Sequence, residues 1–454
     1  MGNPRGCMDP EDIQASGNPV EVLRRKGGNY TDNFPVVPNE QTNWLDEQRA
    51  VTETVSLANL SHHMTSLRVT GPDARDLLRD LSVNSFESFE VGRAKQLVMC
   101  NPNGHIIGDG PMLRVGDEEY YSAGMLSANW VRYNLETGDY DATVETEPRT
   151  SAHEGDPEKF VFQVQGPNAR EVLEQVTDAD LDSIPFYHFE EIDLAGVDTL
   201  AVGHGMSTEF GFEFIGPYEH ADQVQEAIVE AGQEYGLKRL GSKAYHTLSV
   251  KLGWVPPGVP PIYDVEEMRD YREWLDADSR EATYSIDGSF VSDDISEYYM
   301  DPIELGYEKL ISFDHDYVGR EALEEKVEDP DRTLVSLAWD TEDVVDVYAS
   351  LFRDGETNKF MDLPRIAWGR ANYDEVLRGG ELIGLSHSRS YEYDAGTIIS
   401  LCSIDVEHSE PGTEVTLVWG EEDSPNPKVE RHEQTEIRAT VGEVPYSPDQ
   451  RKGE

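Results

Sequence analysis

Cysteine is nearly absent from this chain of 454 residues: only Cys7, Cys100 and Cys402 occur. Three scattered thiols support neither a disulfide framework nor a cysteine metal site, and they fit a reducing, cytoplasmic compartment. Basic residues are also scarce, with 37 Lys and Arg against 90 Asp and Glu, a net charge of −53. Phosphate contacts need patches of Lys and Arg, so the charge argues against general DNA or RNA binding. No apolar run is long enough to span a bilayer, and the N-terminus has no apolar signal core. No Gly-rich phosphate loop, Cys/His metal cluster or Ser-His-Asp order is visible either, so nucleotide, metal and hydrolase readings have no support.

What is present is acid, spread along the chain at 9–12, 117–119, 154–158, 328–331, 340–346 and 421–423 rather than gathered in one tail. Such a surface repels itself in dilute buffer and is screened within a few ångströms in concentrated salt. The expectation is a cytoplasmic protein of a high-salt organism. Seven Trp, 21 Tyr and 14 Phe in periodic patterns argue for a folded chain rather than a disordered polyanion. The divisions expected are a flexible 1–28, an α+β module of two interleaved domains over 29–330, a β-barrel over 331–445, and a loose tail at 446–454.

The stretch from Gly241 to Trp254 organises the rest. Ala244, Leu248 and Leu252 fall on one helical face, Tyr245 and Ser249 on a neighbouring one, and Gly253 stops the helix before Trp254. Both aromatics would serve equally well as core, so their neighbours decide. Thr42-Asn43-Trp44 opens another helix, read as running to about Ser56, and Leu60-Ser61-His62-His63-Met64 precedes a strand.

An internal repeat follows. Thr70-Gly71-Pro72-Asp73-Ala74 returns as Gln165-Gly166-Pro167-Asn168-Ala169, each placed between a strand and an amphipathic helix. Two such units predict a pseudo-repeated pair of α+β halves, with proline in the first helical turn. The copies differ before the glycine, where Gln165 offers an amide able to exchange two hydrogen bonds with a planar heterocycle. Between them, Pro102-Asn103-Gly104 turns a hairpin, and Asp109 lies between Gly108 and Gly110, read near the end of its second strand. Farther on, Glu209 projects from a glycine-rich turn, where a carboxylate can take two parallel N–H bonds from a guanidine-like edge. From Thr333 onward, short alternating strands at 334–338, 383–388, 397–406, 414–418 and 436–441 predict an antiparallel barrel.

In their order and spacing, these pieces resemble the aminomethyltransferase superfamily, the folate-dependent enzymes typified by the glycine-cleavage T-protein. The resemblance runs from about Tyr30 to the last strand. It implies an α+β fold of three domains in a ring with a C-terminal β-barrel, and tetrahydrofolate as cofactor. It also implies that Gln165 and Glu209 hold the pterin, with Trp254 and Asp109 also contacting the cofactor. The T-protein branch has an acidic pair at the hairpin where this chain has Gly108-Asp109, and Arg-Asp where it has Tyr245-His246. The stronger resemblance is to the tetrahydrofolate-dependent demethylases of vanillate, syringate and 3-O-methylgallate. It is carried by the Tyr30 segment, Asn43-Trp44, His62-His63-Met64, Gly108-Asp109-Gly110, Ala244-Tyr245 and Gly253-Trp254. Tyr245 is then the acid and Tyr30 lines the substrate, with His62 or His63 orienting either one. That group's arginine before an Asn-Trp pair is absent before Asn129-Trp130, where Arg114 and Arg132 are the nearest. A methyl on oxygen leaves only if the oxygen is protonated or strongly hydrogen-bonded as charge develops. A phenol of pKa about 10 matches an aryloxide leaving group. Methyl transfer from a small O-methyl, aromatic substrate to folate N5 is the leading expectation. The alternatives are aminomethyl-type transfer from a methylated amine and folate binding without turnover. Neither a nucleic-acid nor a membrane partner is expected, and the sequence does not fix the oligomeric state.

Overall fold

The structure is a computed structural model and describes residues 8–25, 36–150, 155–364 and 370–446. The chain divides into two compact units that do not follow chain order. One comprises Thr31–Val98 and Gly108–Leu252; the other comprises Met1–Tyr30, Met99–Ile107 and Gly253–Glu454. Tyr30 lies outside the described residues.

The first unit carries a six-stranded sheet and most of a five-stranded one, both largely antiparallel. The six-stranded sheet has the order Lys238–Arg239, Ser56–Asn59, Lys159–Gln165, Gly211–Pro217, Val197–Val202, Phe189–Leu194, with one parallel pair at its edge. The five-stranded sheet has the order Ala94–Cys100, Ile106–Gly116, Glu119–Ser122, Ser66–Thr70, Thr143–Glu147. Each copy of the repeat supplies one sheet with a strand. The glycines sit at φ +122° and +133°, and a Cβ there would lie 2.6 Å from the carbonyls of Asp141 and Thr54 respectively. Only glycine suits both demands. The helices begin later than the sequence suggests, at Ala74–Leu81 and Ala169–Leu173, so both prolines precede their helix. Nor do Asp73 and Asn168 cap by side chain: Asp73 Oδ2 accepts from the N–H of Asp141, and Asn168 Nδ2 donates to the carbonyl of Tyr235. Each repeat unit is thus tied by a side chain to a segment that leads into another strand of its sheet. In the first helix Ala74, Leu77, Leu78 and Leu81 are buried at helical spacing, and each leucine contributes roughly 2 kcal/mol of burial.

An inner core joins the two sheets. Ala58, Val161, Val202 and Ile215 from one meet Ala94, Leu113 and Tyr121 from the other, and Ala244 and Leu248 of the helix Ser242–Leu252 close the layer. That helix ends at Gly253, φ +92°, as the sequence predicts. The helix Trp44–Glu53 stops short of Ser56, which already belongs to a strand.

In the second unit six strands close an antiparallel barrel in the order Arg332–Trp339, Thr397–Asp405, Glu381–Glu392, Asp374–Arg378, Glu414–Trp419, Thr435–Gly442. Trp339 and Trp419 fill its interior edge to face, 5.8 Å apart. The sequence reading lacked the strand Asp374–Arg378 and the helix Thr341–Ser350, whose first turn is capped by Asp340 accepting from Glu342 and Asp343. Near the N-terminus, the buried Arg24 donates to the carbonyls of Gly288 and Phe290, both at 3.0 Å.

Candidate active site

The helix bearing Tyr245 is fixed at its first turn by a buried carboxylate. Glu47 is fully buried; its Oε1 accepts from the N–H groups of Gln41 and Thr42, and its Oε2 from Gly241 at 2.8 Å. Gly241 has no room for a Cβ, which would lie 2.4 Å from the Asn39 carbonyl. Gln48 then donates to Thr247 Oγ1 at 2.9 Å. These bonds set the rotation of the helix, and so direct Tyr245 against the inner core. The phenol is half-buried. Burial, and after it the charge of Glu213, holds its proton well above the ordinary tyrosine range.

The two histidines are separated by their bonds. His62 is buried, with Nδ1 2.9 Å from Thr150 Oγ1 and Nε2 3.3 Å from the Tyr218 hydroxyl. That is the geometry of a satisfied structural histidine. His63 packs edge-on against Tyr245, ring centroids 5.7 Å apart. Its Nδ1 lies 2.9 Å from the Leu60 carbonyl, which can only accept, so Nδ1 carries the proton. Burial pushes the ring down to about 4, against the smaller upward pull of that bond, so His63 is neutral at physiological pH. Of the pair, His63 is the one beside Tyr245.

Gln165 ends its strand, 1% exposed. Its Oε1 accepts from the N–H of Met206 at 2.9 Å, and its Nε2 is buried without a hydrogen-bond partner. The amide therefore offers a ligand its NH2 end rather than the two-bond exchange expected from sequence. Gly205 and Gly211 flank it; Cβ atoms there would lie 3.1 Å from its Oε1 and 2.7 Å from its Cβ. Glu209 is exposed in the preceding loop, its N–H donating to Ser207 Oγ at 3.2 Å, and not in the next strand, which begins at Gly211. Trp254 is half-buried where the chain passes into the other unit.

Asp109 is not a turn residue at a strand end. It is the fourth residue of Ile106–Gly116 and fully buried, because the strand continues well past the second glycine. Its Oδ2 accepts from Gln96 Nε2 at 2.7 Å, and Gln96 Oε1 accepts from the Tyr187 hydroxyl at 3.0 Å. Tyr187 stacks on His204, centroids 5.4 Å apart, and His204 Nδ1 lies 3.5 Å from Glu213 Oε2. This chain of polar contacts links the two sheets, and sequence reasoning missed all of it but Asp109. Glu213 is its least expected member: a carboxylate 8% exposed, whose charge acts on His63, Tyr121, Tyr187 and Tyr245. The two arginines nearest to Asn129-Trp130 along the chain are engaged elsewhere. Arg114 donates to the carbonyls of Phe89 and Asp117, and the half-buried Arg132 pairs with Glu136.

A phenol that holds its proton, a neutral imidazole, an amide with an unsatisfied NH2 and an exposed carboxylate can together bind a flat heterocycle and give a proton to a leaving oxygen. Comparison with known proteins agrees with that chemistry. Residues 25–256 match the GCVT N-terminal domain. The chain is 37% identical over 447 residues to a syringate O-demethylase of Sphingobium sp. (strain NBRC 103272 / SYK-6), covering 97% of this chain and 96% of that one. It is 31% identical over 430 residues to a sesamin methylene transferase of Sinomonas sp. (strain No.22), with 91% of each covered. An aminomethyltransferase of Thermoanaerobacter sp. (strain X514) is 29% identical over 62% of this chain. Among solved structures, the glycine cleavage system aminomethyltransferase T from Bartonella henselae shares the fold, with a TM-score of 0.62 and 16% identity over 90% of this chain and 91% of that one.

Proposed function

We propose, from the premise that the chain belongs to the GCVT family of tetrahydrofolate-dependent one-carbon transferases, that it removes the methyl group of an O-methyl aromatic substrate. The residues present fit the cofactor. The buried, unpartnered NH2 of Gln165 is a donor awaiting an acceptor, the two glycines beside it let the chain pack closely around that amide, and Glu209 is exposed to take N–H groups. Tetrahydrofolate, when bound, supplies N5 as the nucleophile that accepts the methyl. Gln165 and Glu209 orient it. Tyr245 Oη holds the proton that the departing oxygen needs, and neutral His63 packs the ring in place. For Trp254, Asp109 and Tyr30 we keep the roles that the resemblance implies, the first two at the cofactor and the third at the substrate.

The observation that carries this reading is the environment of Tyr245. Burial and the Glu213 charge keep its proton on at any working pH. The same surroundings raise the basicity of an aryloxide formed beside it, so donor and acceptor stay matched. Because Arg114 and Arg132 are committed elsewhere, a benzoate carboxylate is not a required feature of the substrate. Purified protein in high salt, given tetrahydrofolate and a panel of methoxy-aromatics and methylated glycines, is expected to yield 5-methyl-tetrahydrofolate from a methoxy-aromatic. Formation of 5,10-methylene-tetrahydrofolate from an amine would replace this reading with aminomethyl chemistry. Tight folate binding with neither product would point to a binding protein.

The acidic composition supports a second, independent proposal: a cytoplasmic setting of high ionic strength. Among the described residues no helix is long and apolar enough to cross a membrane. The thermal midpoint is expected to fall steadily as salt is dialysed away, because 53 unbalanced negative charges lose their screening. A midpoint independent of salt from the molar range to dilute buffer would refute this.

A further inference from the structure

Gln163 is 0% exposed, and both ends of its amide, Oε1 and Nε2, are buried without a hydrogen-bond partner. An amide buried with neither end satisfied is rare in folded proteins and destabilising unless something completes it. Its position says what that is. Gln163 stands two residues before Gln165 on the same strand, so both side chains leave the sheet on one face, about 7 Å apart. Directly across the neighbouring strand, Glu213 pairs with Gln163 and Gly211 pairs with Gln165. On the other side the partners are Ala58 and Ser56. The face is therefore the inner one, where Ala58, Val202 and Tyr245 also lie. Three orphaned amide atoms, those of Gln163 and the NH2 of Gln165, stand there beside the Glu213 carboxylate and a glycine without a side chain.

We propose that Gln163, with Glu213 facing it across the strand pair, is a further ligand-binding residue of this site: its amide donates one hydrogen bond to, and accepts one from, the edge of the planar N-heterocycle whose acceptor the Gln165 NH2 takes. The two-bond exchange that Gln165 cannot make, having given its Oε1 to Met206, is available at Gln163. The inference rests on the folate reading above.

The test is Gln163→Met, which keeps length and volume and removes both hydrogen bonds. In the full chain in high salt, the tetrahydrofolate dissociation constant, read by fluorescence titration, should rise about 10-fold, the order expected for losing two modest hydrogen bonds. The ligand-free thermal midpoint should hold or rise, because an unsatisfied amide has been removed. An affinity within about twofold of wild type, with a lowered midpoint, would mean that internal water satisfies the amide for the sake of the fold, and would overturn the proposal. If the methionine variant does not fold, Gln163→Asn withdraws the same group by one methylene. A several-fold loss of affinity supports the proposal and an unchanged affinity overturns it. Failure of wild type to bind tetrahydrofolate at all would refute the folate reading first, and is distinguishable from these outcomes.

Discussion

Replacing Tyr245 by phenylalanine should slow methyl transfer by about 10²- to 10⁴-fold, the range for loss of a positioned general acid, while tetrahydrofolate affinity stays within about twofold. The substitution removes one oxygen and leaves the ring that packs against His63 and the inner core, so no cavity opens. Each factor of ten corresponds to 1.36 kcal/mol of barrier, and the loss falls on kcat because the proton moves only as the leaving oxygen gains charge. The measurement is single-turnover formation of 5-methyl-tetrahydrofolate beside an equilibrium titration of the cofactor. Equal rates for the two proteins would remove Tyr245 from the chemistry; a parallel loss of rate and affinity would make it a binding residue.

Gly108→Asp is expected to damage the fold rather than restore the acidic pair of the T-protein branch. A Cβ at position 108 would lie 2.7 Å from the backbone nitrogen of Ser127 and 2.9 Å from the carbonyl carbon of Leu126. Both obstacles are main chain, so a side chain fits only if the segment leading into the helix Ala128–Thr137 moves. Overpacking of this kind costs roughly 3 kcal/mol, or a fall of about 6–12 °C in thermal midpoint for a unit of this size. The same displacement disturbs Asp109, whose carbonyl accepts from the Leu126 N–H at 3.2 Å, and so the contacts through Gln96 to Tyr187. Differential scanning calorimetry reads the first effect. A normal midpoint together with new activity on methylated amines would show that the glycine reflects lineage and not packing.

The parts of the fold legible in the sequence are those whose constraint is local. Gly71 and Gly166 announce themselves because a positive φ and a close carbonyl leave no other residue, and the helices after them follow from leucine spacing. Gln165 and Tyr245 stand at a strand end and on a short helix, positions that a period of two or 3.6 locates. Glu213, His204, Gln96 and Gln163 were not legible, because each acquires meaning from a partner on another strand. Register places Gln163 opposite Glu213, and no pattern along one strand encodes its neighbour's alignment. Asp374–Arg378 escaped for a related reason: its alternation carries Asp374, buried and bonded to Asn372, at a core position. His62 shows the converse, a residue with a conspicuous sequence context whose nitrogens turn out to serve Thr150 and Tyr218.

The guanidinium of Arg24 has a consequence for synthesis. Its two acceptors, the carbonyls of Gly288 and Phe290, are 264 and 266 residues downstream. At about 5–20 residues per second on the ribosome, roughly 10 s to 1 min separates the emergence of the arginine from that of its partners. During that wait Thr31–Val98 and Gly108–Leu252 are all translated. The first helices made therefore join the last unit completed, and a nascent chain released early would keep Tyr245 while leaving Arg24 with nothing to hold.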